Sequence, residues 1–127
     1  MEPDQRRVET RRFAPRPASV AELRSFLRAS LTGEEEVQDA LWLASEIATN
    51  AVLHARSAFQ VTLEERADVL RVAISDDNST VPAVAASDAS ATSGRGLTII
   101  EAVADRWGID SLPGSGKTVW FELARRG

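Results

Sequence analysis

At 127 residues, 43% of them hydrophobic and 27% charged, the chain has the size and balance of one ordered globular domain with a single core. Its lack of cysteine excludes disulfides, thiol nucleophiles and thiolate metal sites, and a lone histidine argues against a His-based zinc site. A net charge of −4 speaks against broad nucleic-acid binding, which needs a basic footprint, and no apolar run reaches the roughly 20 residues of a membrane span or forms a secretion signal, so a soluble, cytoplasmic protein is expected.

Residues 1–7 are polar and read as a flexible N-terminus, ahead of a domain over 8–124 and a tail at 125–127. Val8 to Phe13 forms a short strand before Pro15 and Pro17. Arg6, Arg7, Arg11, Arg12 and Arg16 make this start basic, either as a solvated outer strand or as a basic contact patch. Ser19 with Glu22 reads as a capping box, and Val20, Leu23, Phe26, Leu27 and Leu31 recur at the spacing of an amphipathic helix. Thr32 with Glu35 repeats the cap. The acidic run Glu34, Glu35 and Glu36 suits the positive end of the dipole of a second, longer helix.

Wound at about 100° per residue, residues 37–55 place Val37, Ala40, Ala44, Ile47, Ala48, Ala51 and Ala55 on one apolar arc. Glu46, Asn50 and His54 are four apart, so they stack as neighbours on the other side, which also carries Trp42, Leu43 and Leu53. A carboxylate and a carboxamide among bulky apolar groups predict a second, partly dry surface over that side, as in a ligand cleft. Helical geometry alone does not separate such a site from a surface row closed by His54 at the helix end.

After Ser57 the period changes to two. Phe59, Val61 and Leu63 alternate with polar residues, as do Leu70, Val72 and Ile74 after a turn at Arg66-Ala-Asp68, which predicts a hairpin with one buried face. Residues 77–93 are small, polar and aperiodic and read as a long loop, extended by Gly94, Arg95 and Gly96 into a lid over 77–96. Ser93-Gly-Arg-Gly-Leu97 opens a helix, where glycines let backbone N–H groups approach an anion or serve as an ordinary hinge. In that helix Leu97, Ile100, Val103, Ala104 and Trp107 face the core, and Gly108 ends it. A last strand runs from about Lys117 to Leu123, with Val119, Phe121 and Leu123 alternating against Trp120 and Glu122. Helices gathered against an antiparallel or mixed sheet predict an α+β fold, a two-layer sandwich.

Two segments carry a phosphate signal. Pro113-Gly-Ser-Gly-Lys-Thr118 has the look of a P-loop end, but that motif needs glycine at position 111, where Ser111 stands, and a helix at the lysine. The residues that follow alternate as a strand, so a glycine turn is the reading. Gly94-Arg-Gly96 gains weight from its company: an acidic strand end at Asp76, the row on the long helix and the loop between them.

Three separated segments then fall into one order. Glu46, Asn50, Ala51 and His54 match an N box, Val72-Ala-Ile-Ser-Asp76 with Pro82 beyond matches a G1 box, and Gly94-Arg-Gly-Leu97 matches a G2 box. On these the chain resembles the ATP-binding domain shared by DNA gyrase, heat-shock chaperone ATPases, histidine kinases and mismatch-repair proteins, the GHKL or histidine kinase-like ATPase superfamily. It is most similar to the small bacterial branch of anti-sigma-factor serine/threonine kinases and their stand-alone regulatory relatives, a likeness that spans residues 8–124. The resemblance implies a Bergerat-type fold, with helices on one face of a mixed, mostly antiparallel sheet. It also implies roles. Asp76 would accept a hydrogen bond from the adenine amino group of ATP, with Thr118 supporting the same base edge directly or through water. Asn50 would hold Mg²⁺, a hard ion, through its side-chain oxygen. Glu46 would be catalytic, orienting and deprotonating an acceptor hydroxyl. Gly94, Gly96 and Leu97 would close over the phosphates with Arg95 as charge partner, and His54 would play a supporting part. Asn78 stands where the G1 box often has glycine, and asparagine can adopt the same left-handed backbone.

The function so implied is a kinase that sequesters a sigma factor and phosphorylates a serine of an anti-anti-sigma (STAS-type) partner. The alternative is a non-catalytic ATP-binding interaction module. Self-pairing as a homodimer is left open, and neither nucleic acid nor a membrane is an implied partner.

Overall fold

The computed structural model describes residues 7–31, 34–77, 99–112 and 116–125. In chain order these form β1 (Arg7–Phe13), α1 (Ala18–Ser30), α2 (Glu34–Asn50), a π-helical turn (Ala51–Ala55), β2 (Phe59–Glu65), β3 (Val69–Asp76), a helical stretch at 99–103, β4 (Arg106–Leu112) and β5 (Gly116–Ala124). The strands make one sheet in the order β1-β2-β3-β5-β4, and every pairing among them is antiparallel. The α+β class is as expected. No helix among the described residues is long and apolar enough to cross a membrane.

Alternation decides which face of the sheet is covered. Phe59, Val61 and Leu63 of β2, Leu70, Val72 and Ile74 of β3, and Val119, Phe121 and Leu123 of β5 are buried, while the residues between them are half-exposed. Leu23 and Leu27 of α1 and Ala40, Leu41, Leu43, Ala44, Ile47 and Ala48 of α2 join them in one core. The small alanines of α2 let it lie close over β3 and β5, the strands it contacts. Arg24 fastens α1 to α2 through a 2.9 Å bond to Ser45 Oγ.

The basic start is used structurally. Arg7 donates to the Ser30 carbonyl at 2.8 Å, a cation at the negative end of α1, and pairs with Glu65 at 3.1 Å and with Glu9. The Arg11 guanidinium lies 5.6 Å from the Phe13 ring centre and 5.8 Å from that of Phe26. A charged side chain on the core side of the edge strand discourages pairing with another chain.

Several expectations need correction. Ser19 is not a helix cap: α1 starts at Ala18 after Pro17, which makes no side-chain cap bond, and the buried Ser19 hydroxyl donates back to the Ala14 carbonyl at 2.7 Å. Thr32 of the second capping box lies outside the described residues. The predicted helix through Trp107 ends early, where Ala104 N–H donates to the Ile100 carbonyl at 2.8 Å. Asp105 then pairs with the sheet, its N–H on the Glu122 carbonyl at 3.0 Å and its carboxylate on the Ala124 N–H at 2.7 Å. Residues 106–112 continue as β4, a strand the sequence reading did not contain. Gly108 is a mid-strand residue opposite Trp120, whose indole fills the space a side chain would take. Arg125, assigned to the tail, is tied to the hairpin through Asp68 and Glu65.

Candidate functional site

Asp76 ends β3, and Lys117 stands directly across from it on β5. Both lie on the helix-covered face, since Ile74 and Val119, two residues away along each strand, belong to the core. Lys117 Nζ donates to Asp76 Oδ1 at 3.1 Å and to Oδ2 at 2.9 Å, and the Asp76 and Lys117 side chains are only 7% and 8% exposed. Removing one partner of such a buried pair strands the other charge and costs about 3–5 kcal/mol.

The backbone around Asp76 is held from two sides. Gly116 has φ +94°, and a Cβ there would collide with the Asp76 carbonyl oxygen, so only glycine lets β5 enter so close to the end of β3. On the other side the Asp77 N–H donates to Ser57 Oγ at 3.1 Å, and the Ser57 hydroxyl donates to the Ala58 carbonyl at 3.0 Å. The chain reaches Ser57 through Arg56, a left-handed residue at φ 53°.

Thr118 is not placed as expected. Being next to Lys117 in a strand, it lies on the opposite face of the sheet from Asp76, and its hydroxyl is bonded to Ser75 at 2.7 Å. The residue of β5 that meets Asp76 is Lys117, which the sequence reading placed at the start of the last strand but gave no part in the site. Its signal was the alternation of β5, which sets Lys117 on one side with Val119 and Phe121. Gly116-Lys-Thr118 opens a strand, as the rejection of a P-loop required.

Glu46 and Asn50 keep their shared row, because α2 remains α-helical up to Asn50. Both are half-buried, and among the described residues neither has a hydrogen bond or ion pair. The backbone then passes into the π-helical turn Ala51–Ala55, which carries His54. The side chain of His54, the third member of the predicted row, lies outside what is described. The dry cover expected over this side is not built by the described residues: Trp42 and Leu53 are 48% and 55% exposed, and Leu43 belongs to the core. Gly94, Arg95, Gly96 and Leu97, with all of the lid except Asp77, lie outside the described residues.

The donor set bears on which groups could be held. No cluster of three or more His, Asp or Glu able to hold a metal occurs among the described residues. Asn50 offers a hard side-chain oxygen, which suits a Mg²⁺ ion that keeps most of its waters and brings phosphate oxygens with it. The Asp76 carboxylate suits an amino donor such as that of adenine, and both of its oxygens already carry the Lys117 ammonium.

The family described as histidine kinase-like ATPase domain matches residues 13–123. Among solved structures, the RsbU and RsbW domains of Rv1364c from Mycobacterium tuberculosis superpose with a TM-score of 0.72 at 17% identity, over 95% of this chain. This chain spans about a third, 34%, of the length of that one. No curated protein matches the sequence with significance. With the match running from Phe13 to Leu123, across the Glu46 and Asn50 row and the Asp76 strand end, the chain belongs to the histidine kinase-like ATPase domain family.

Proposed function

We propose that the chain is a cytoplasmic ATP-binding regulator that acts as a serine/threonine kinase: it holds a sigma factor and phosphorylates a serine of an anti-anti-sigma, STAS-type partner. The observation that carries this reading is the Glu46 and Asn50 row, two polar side chains with no partner among the described residues, one turn apart on the helix packed over the strand that ends in Asp76. Membership of the family and the fold shared with a structure that includes an RsbW domain support it. Asn50 would hold Mg²⁺, and Asp76 would accept from the adenine amino group. Gly94, Arg95, Gly96 and Leu97 would line the phosphates, with His54 supporting the row. When bound, MgATP supplies the transferable phosphoryl group and the metal charge that offsets its oxygens. Glu46 would orient the serine hydroxyl and take its proton on a carboxylate oxygen.

Incubation with labelled ATP and a panel of anti-anti-sigma proteins tests the assignment. Label should appear on one of them and fall by at least about 100-fold in Glu46→Ala, the range of a lost general base. Equal labelling by the variant would remove Glu46 from the chemistry. The alternative is a non-catalytic ATP-binding interaction module, which would hold the nucleotide through the same groups without Glu46 acting as a base. Tight binding of nucleotide with no transfer to any partner would decide for that module.

A further inference from the structure

We propose that Lys117 is an internal competitor for Asp76, a latch that must release the carboxylate before an adenine ring can use it. The inference rests on the nucleotide-binding reading of Asp76 and deepens it. Both Asp76 oxygens accept from the one ammonium, at 3.1 Å and 2.9 Å, with both side chains almost fully buried. An exocyclic amino group is a neutral donor, so its hydrogen bond to the carboxylate lacks the attraction between opposite charges that the Lys117 ammonium adds. Such an amine cannot displace the ammonium unaided; the rest of the ligand must supply the difference. Nucleotide affinity is therefore set by Lys117 as well as by the groups that touch the ligand. The position is strict, because the register of β3 and β5 puts Lys117 directly opposite Asp76 and Gly116 holds the two backbones together. Lysine also has the means to leave: its charge sits on a flexible four-carbon stem, unlike the planar fork of arginine.

The test is titration of a fluorescent ATP analogue into the wild-type chain and into Lys117→Gln and Lys117→Arg, each checked for folding by circular dichroism. Glutamine keeps a neutral donor for Asp76 and should bind the analogue at least about tenfold more tightly, whereas arginine, charged and able to pair bidentately, should bind no better than wild type. Should glutamine destabilise the fold, the wild-type chain still decides: the Lys117 ammonium NMR signal should shift as analogue is added, because Nζ leaves Asp76. A glutamine variant that binds equally or more weakly, or an ammonium signal unmoved at saturation, overturns the latch and leaves the nucleotide site standing. Absence of analogue binding in all three folded proteins overturns the nucleotide reading itself, and the latch with it.

Discussion

Gly116 shows how much of the site depends on one position. Its φ of +94° lies in the left-handed region, and the Asp76 carbonyl occupies the space of a would-be Cβ. Gly116→Ala should lower the unfolding free energy by about 2 kcal/mol or more, the left-handed penalty of about 1–2 kcal/mol plus the collision. Urea denaturation reads this, and a change below about 0.5 kcal/mol, an ordinary surface effect, would show that the two strand ends are not held as described. Asp76 could be read from sequence because an alternating apolar strand ended in an acid. For Lys117 the alternation of β5 shows the face but not the pairing with Asp76, since that comes from the β3 and β5 register, which the sequence does not display. The same register sets Thr118 on the other face, where its hydroxyl is bonded to Ser75.

Among the elements, β1 depends most on a single anchor. Among the described strands it is an edge strand paired only with β2, and Phe13 at its end is buried, stacked on Phe59 at 5.2 Å and tilted against Phe26 at 6.3 Å. Phe13→Ala should cost about 3–4 kcal/mol, with amide hydrogen exchange quickening in β1 before β3. Equal acceleration in both strands would mean that β1 is no separate unit. The elements legible in the sequence were those with one clear period, α1, α2, the β2–β3 hairpin and β5, together with the short β1. β4 was missed because Ile100, Val103, Ala104 and Trp107 fit a helical spacing while Trp107, Gly108 and Ile109 also fit a strand. Trp107 packs against the core either way. The choice falls to Asp105, whose backbone and carboxylate both bind β5. In α2 the row was legible up to Asn50, and the π-helical turn that follows left no mark in the apolar pattern.

For the whole molecule, the consequence of this topology is that helices cover one sheet face while α2 packs over β3 and β5, bringing the Glu46 and Asn50 row and the Asp76–Lys117 pair onto packed elements of the helix and sheet layers. An all-antiparallel sheet with β5 in an interior position makes this possible, because the last strand returns between β3 and β4 and delivers Lys117 to the end of β3. The family match over residues 13–123 takes in both halves of the arrangement. What separates a nucleotide site from a row of surface residues is dependence on a metal held by Asn50. A fluorescent ATP analogue titrated with and without Mg²⁺ into the wild-type chain and Asn50→Ala measures this directly. Saturable binding that tightens at least about tenfold with Mg²⁺, about 1.4 kcal/mol, and loses that gain in Asn50→Ala is the expected result; no binding by the folded wild type, or a Mg²⁺ gain undiminished in the variant, would contradict it.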